Sequence, residues 1–150
     1  MTTTTPTALA TQVYQVFIRS TPEAIWEAIT MSEFTEKYFH GSRIEITSAG
    51  RRSLGPDGEL RGDSPVLEFE PPRKLVHGWQ SLYDPELAEE EPSRVTWEIE
   101  PQEGGVTKLT VTHDQLEAAP KTAVSVAGGW SYVLSGLKTL LETGKPLSTD

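Results

Sequence analysis

The sequence predicts an α+β fold: a curved antiparallel sheet of about six to seven strands wrapped around one long C-terminal helix, with two short helices after the first strand. Three observations predict it. Short runs of β-forming residues recur between positions 43 and 113, joined by Gly/Pro turn signals. Val126, Trp130, Val133, Leu134, Leu137, Leu140 and Leu141 fall at i, i+4, i+7, i+8, i+11, i+14 and i+15, an apolar stripe on one helix. One amphipathic helix can cover only one face of such a sheet.

Taken in order, residues 1–11 are Thr-rich, without a basic start or an apolar run, and are expected to form a disordered tail rather than a signal peptide. Val13–Arg19 reads as the first strand. Thr21 is placed to cap a helix, Pro22 to occupy its first position, and Glu23 to meet the positive end of its dipole. Ile25, Trp26 and Ile29 then share a helical face. Ser32 is expected to cap a second helix through Phe34 and Tyr38, ended by Gly41.

Arg43–Thr47 and Gly50–Leu54 are candidate strands around a turn near Ser48, and Gly55-Pro56-Asp57-Gly58 is a strong turn signal. Glu59–Gly62 and Val66–Glu70 read as one strand interrupted at Asp63-Ser64-Pro65. Lys74–Leu82, Arg94–Glu100 and Val106–His113 complete the sheet, the last two joined through Glu103-Gly104-Gly105. Between them Asp84–Pro92 carries Asp84, Glu86, Glu89, Glu90 and Glu91 and reads as a solvated loop, without the alternating spacing of a calcium loop. Gly144 and Pro146 stop the terminal helix. Gly128-Gly129 costs about 2 kcal/mol of helix propensity, so the helix either starts near them, or they form a kink or a close-contact point. The domain is expected over residues 12–145, followed by a tail over 146–150.

Net charge is -9, with no basic cluster longer than Arg51-Arg52, which argues against nucleic acid and anionic membranes. There are no cysteines, which removes thiolate metal sites and Cys nucleophiles. The three histidines lack ligand spacing, so no metal or other cofactor is expected. No run reaches the ~18 apolar residues of a membrane span. A cytoplasmic location is the expectation.

The segments Val16-Phe17-Ile18-Arg19-Ser20-Thr21-Pro22-Glu23-Ala24-Ile25-Trp26 and Gly129-Trp130-Ser131-Tyr132-Val133-Leu134-Ser135-Gly136-Leu137-Lys138 carry a resemblance. So do Lys37-Tyr38-Phe39-His40-Gly41, Glu70-Pro71-Pro72-Arg73-Lys74-Leu75 and Thr112-His113-Asp114. Together they resemble the START-like, or SRPBCC, domains. The subgroup is the one named after the C-terminal domain of the activator of the heat-shock ATPase, the AHSA-like proteins. The resemblance implies a helix-grip fold with a cavity between sheet and helix. It also implies a hydrophobic ligand such as a lipid, polyketide or aromatic metabolite, or else cyclase or aromatase chemistry, or chaperone modulation. The expected partner is a small hydrophobic molecule; the expected assembly is a monomer or weak homodimer.

Strand alternation gives the candidate site. Val95, Trp97 and Ile99 share a face, as do Leu109, Val111 and His113, and Leu75, His77 and Trp79. His77, Trp79, Trp97 and His113 are thus expected on the concave face beneath Trp130 and Leu134, with Trp26 completing a ligand-binding set. No catalytic residue is assigned. A cyclase would need His77 or His113 as general base. No nucleophile elbow, phosphate loop or dinucleotide fingerprint occurs.

Overall fold

Residues 7–148 are described by the structure, a computed structural model. Eight strands are named here in chain order: β1 (Gln12–Ile18), β2 (Arg43–Thr47), β3 (Gly50–Leu54), β4 (Leu60–Ser64), β5 (Val66–Glu70), β6 (Lys74–Trp79), β7 (Ser93–Pro101) and β8 (Thr107–Asp114). The helices are α1 (Thr7–Ala10), α2 (Pro22–Thr30), α3 (Ser32–Thr35), α4 (Pro85–Ala88) and α5 (Pro120–Thr143). The strands form two antiparallel sheets, one in the order β1-β8-β7-β6-β5 and one in the order β2-β3-β4.

The division into two sheets corrects the reading of Glu59–Glu70 as one interrupted strand. Pro65 has no N–H to continue a ladder, and the chain passes there from β4 in the smaller sheet to β5 in the larger. The Pro65 carbonyl accepts from the Gly78 N–H at 3.0 Å. A Cβ on Gly78 would lie 3.3 Å from the Pro65 ring, a tight contact that would need a shift of a few tenths of an ångström.

In the larger sheet the period-2 pattern decides what is buried. Leu75, Val95, Ile99, Leu109 and Val111 are buried, and Trp97 lies opposite both Leu75 and Val111. His77, Val95, His113 and Gln12 form the next row. α5 lies over this face, with Ala123, Val126, Trp130, Val133, Leu134, Leu137 and Leu140 buried. The Gln12 amide donates to the Ala123 carbonyl at 3.0 Å and ties the helix to the sheet.

α2 begins as its sequence dictates: Thr21 accepts from the Ala24 N–H at 3.1 Å, and Pro22 opens the helix. α3 does not. Ser32 is its first residue, the cap position is Met31 and makes no side-chain bond, and the Ser32 hydroxyl pairs with Glu45 instead. The element is held by Thr35, which is fully buried. Its hydroxyl donates to the Ser42 carbonyl at 2.9 Å and accepts from the Ile44 N–H at 2.8 Å. Thr35→Val keeps the shape but leaves both backbone groups unpaired, which should cost about 2–4 kcal/mol in urea unfolding; a loss below about 1 kcal/mol would show that the bridge is not structural.

Two further expectations change. Of the tail expected over residues 1–11, residues 1–6 lie outside those described; Thr7–Ala10 forms a helical turn, with Ala10 buried. The acidic stretch 84–92 is partly structured, because Asp84 caps α4 through the Glu86 N–H at 2.9 Å. Glu90 caps α5 from outside that helix: its carboxylate accepts from the Lys121 and Thr122 N–H groups and the Thr122 hydroxyl at 2.7–3.0 Å. A carboxylate there meets the positive helix end. α5 runs unbroken through Gly128-Gly129 and stops at Gly144, whose φ of 77° is the left-handed cap conformation that glycine adopts without strain.

Candidate functional site

Five aromatic rings cluster where α5 crosses the sheet. Trp130 meets Phe39, Trp79, Trp97 and His113 at centroid distances of 6.1, 5.7, 5.4 and 6.0 Å. An indole N–H donates and cannot accept, so each hydrogen bond it makes fixes its partner's tautomer. Trp97 donates to His77 Nε2 at 2.9 Å, leaving the His77 Nδ1–H to donate to the Gly78 carbonyl at 2.7 Å. Trp130 donates to His113 Nδ1 at 3.0 Å, leaving the His113 Nε2–H to donate to Ser93 Oγ at 2.8 Å.

Both imidazoles are fully buried and neutral. Burial pushes the pKa of each down to about 3; the nearby Arg51 charge adds to this at both, while Asp114 opposes it at His113. With its acceptor nitrogen occupied, neither ring has a lone pair to offer a substrate. The pairing of a buried indole with a buried imidazole occurs twice: Trp97–His77 ties β7 to β6 within the sheet, and Trp130–His113 ties α5 to β8.

Above this layer lies a cavity of about 620 Å³. Phe39, Trp79, Val126, Trp130 and Val133 supply its apolar wall. β3 contributes Arg51 and Ser53, β4 contributes Leu60 and Arg61, and Glu59 and Tyr83 line it from the β3–β4 and β6–α4 connections. The lining combines that apolar wall with polar groups, among them Arg51, Ser53, Glu59 and Arg61.

Of the residues read from sequence, Trp79 and Trp130 line the cavity. His77, Trp97 and His113 form the hydrogen-bonded layer beneath it, and Leu134 is buried in the core. Trp26 sits apart, packed edge-on against Phe69 at 5.2 Å. His40 is the histidine that lines the cavity among the described residues. It stacks on Tyr132 at 5.8 Å, and burial and the Arg61 charge hold its pKa below the ordinary value.

Arg51 is the residue that sequence reasoning missed. It is 4% exposed, and its guanidinium lies 4.7 Å from the Trp79 ring centre. A signal was present: Arg51 and Arg52 are consecutive in a strand, so one of them must face inward. No group of His, Asp or Glu among the described residues is arranged to hold a metal ion. Among those residues, no helix is long and apolar enough to cross a membrane.

A sheet gripping a terminal helix, with an aromatic cavity at their junction, defines a START-like helix-grip domain. Residues 19–142 match the family described as Activator of Hsp90 ATPase homolog 1-like protein, and the chain belongs to that family. The fold is shared with protein MLL2253 from Mesorhizobium loti, at 23% identity over 87% of this chain and 96% of that one, TM-score 0.71. It is shared with DynU16, a protein of the dynemicin biosynthetic locus, at 24% identity over 91% of this chain and 49% of that one, TM-score 0.73. It is shared also with the Aha1 dimer from Colwellia psychrerythraea, at 18% identity over 90% of this chain and 98% of that one, TM-score 0.70. No curated protein matches the chain.

Proposed function

We propose that this protein binds one small, largely apolar molecule in the cavity between β3, β6 and α5. The observation that carries this reading is the cavity of about 620 Å³ walled by the rings of Phe39, Trp79 and Trp130. A site serving only to pack the core would close, because apolar walls gain dispersion contacts and lose water when they meet. The structural neighbour from a biosynthetic locus is consistent with a small-molecule ligand.

The binding reading is favoured over a cyclase by the state of the histidines: His77 and His113 are buried with their acceptor nitrogens filled by indole N–H groups. It is favoured over a surface-acting chaperone modulator by the open cavity itself. The ligand-bearing unit is a single chain, so a monomer or a weak homodimer serves equally.

The test uses the neutral fluorescent probe N-phenyl-1-naphthylamine, together with native mass spectrometry of the freshly purified protein for small molecules carried with it. One probe is expected to bind per chain. At one hundred times its dissociation constant it should stabilise the fold by about 2.7 kcal/mol, a thermal shift of roughly 5–10 °C for a chain of this length. No bound probe, no shift and no co-purified molecule would overturn the reading.

A further inference from the structure

Arg51 is a buried cation without a buried anion. Its side chain is 4% exposed, and among the described residues no carboxylate lies within ion-pair distance of it. The carboxylate lining the same cavity, Glu59, is turned to Arg61 at 3.3 Å. The Arg51 guanidinium lies against the Trp79 ring, and its charge is felt at the Tyr38 phenol and at the neutral histidines below. The positive charge therefore stands unbalanced at the cavity wall of a chain whose net charge is -9.

Space has been left for this group. A Cβ on Gly62 would lie 3.1 Å from Arg51 Nη1, so the neighbouring strand offers the guanidinium a gap instead of a side chain. A cation taken out of water is costly unless a partner compensates it, and guanidinium is suited to carboxylate and other planar oxyanions through paired N–H donors. The aromatic wall lies directly beside it: Arg51 sits over Trp79, and Trp79 meets Trp130 at 5.7 Å.

We propose that the ligand of this cavity is an aromatic or polycyclic acid, whose carboxylate or other planar oxyanion is received by Arg51 and whose ring system lies against Trp79 and Trp130. The proposal rests on the small-molecule reading above and narrows it to a ligand class. The missing counter-charge is supplied by the ligand, and the empty protein holds the cation in readiness at some cost in stability.

The test compares 2-naphthoate with 2-naphthamide, which share a ring system and nearly a shape but differ in charge, by calorimetric titration of the wild type and of Arg51→Met. The wild type should bind the naphthoate at least tenfold more tightly. Arg51→Met should lose that preference while retaining the amide, and its unliganded thermal midpoint should be at or above that of the wild type, since an uncompensated buried charge has been removed. A purely structural arginine would give a lower midpoint and leave the ratio of the two affinities unchanged.

Equal binding of the two compounds by the wild type overturns the anionic-ligand proposal and leaves the cavity reading standing; that comparison needs no variant. Retention of the preference in Arg51→Met also overturns it. If neither naphthalene compound nor the neutral probe binds, the cavity reading itself fails and this proposal with it.

Discussion

Trp130→Ala should cost about 4–5 kcal/mol, the largest loss from a single side chain in this fold. Trp130 is 2% exposed and touches four aromatic rings. Truncation removes that buried area and leaves a cavity that rigid sheet and helix backbones cannot close. It also takes away the N–H that His113 Nδ1 accepts at 3.0 Å, leaving a buried acceptor unpaired. Trp130→Phe separates the two contributions, because it keeps a ring and loses the donor; a cost of about 2 kcal/mol is expected. Urea unfolding of both variants checks this. A loss below about 2 kcal/mol for the alanine variant would mean that the helix–sheet junction is held elsewhere.

Mild acid should destabilise the protein through His77 and His113. His77 and His113 have native pKa values near 3, against an ordinary value of 6.5. Above pH 6.5 both states bind few protons at these sites and the full stability is present. As pH falls below 6.5 the unfolded chain takes up two protons that the native fold refuses, so stability declines, at up to about 2.7 kcal/mol per pH unit for the two rings together. The accumulated loss at pH 5 is about 4 kcal/mol.

The three carboxylates with lowered pKa values act below this window. Glu59, Glu90 and Glu142 all have pKa values held below the ordinary carboxylate range, chiefly by hydrogen bonds to backbone or side-chain donors acting against desolvation, so their contribution is lost at lower pH. Urea midpoints at pH 7.5, 6 and 5 should fall steadily. A flat profile down to pH 5 would mean that the imidazoles accept protons in the native state, contrary to the indole–imidazole hydrogen bonds.

Much of the fold was legible because period and punctuation agreed. The apolar stripe from Val126 to Leu141 lies on one continuous helix. The alternation in 74–79, 93–101 and 107–114 put the correct side chains inward, including both histidines. The smaller sheet was less legible, since β4 reads Leu60-Arg61-Gly62-Asp63-Ser64, with one apolar residue and no alternation. Its burial follows from the neighbours it meets in space. Ser32 misled for a related reason: a serine before an apolar run has the appearance of a cap, but Glu45, from a strand 13 residues away, takes its hydroxyl.

Parity identified the facing rows of the site but not their depth. Alternation assigns a residue to a face and is silent on whether another side chain lies above it. Trp97, His77 and His113 face the helix as expected, yet Trp130 covers them and turns them into the floor beneath the cavity. Arg51 and His40 reach the cavity from the smaller sheet and from the α3–β2 connection, segments with weak apolar patterns of their own. Their roles are set by long-range packing, which no local window of sequence contains.

The most direct test of the cavity uses the chain's four tryptophans as reporters placed at different depths. Indole N–H resonances would be followed by NMR during titration with N-phenyl-1-naphthylamine. The account predicts that the Trp79 and Trp130 signals move most and together, at one equivalent of probe, while Trp26, packed against Phe69, stays still. Movement centred on Trp26, or saturation of the probe with Trp79 and Trp130 unmoved, would contradict it.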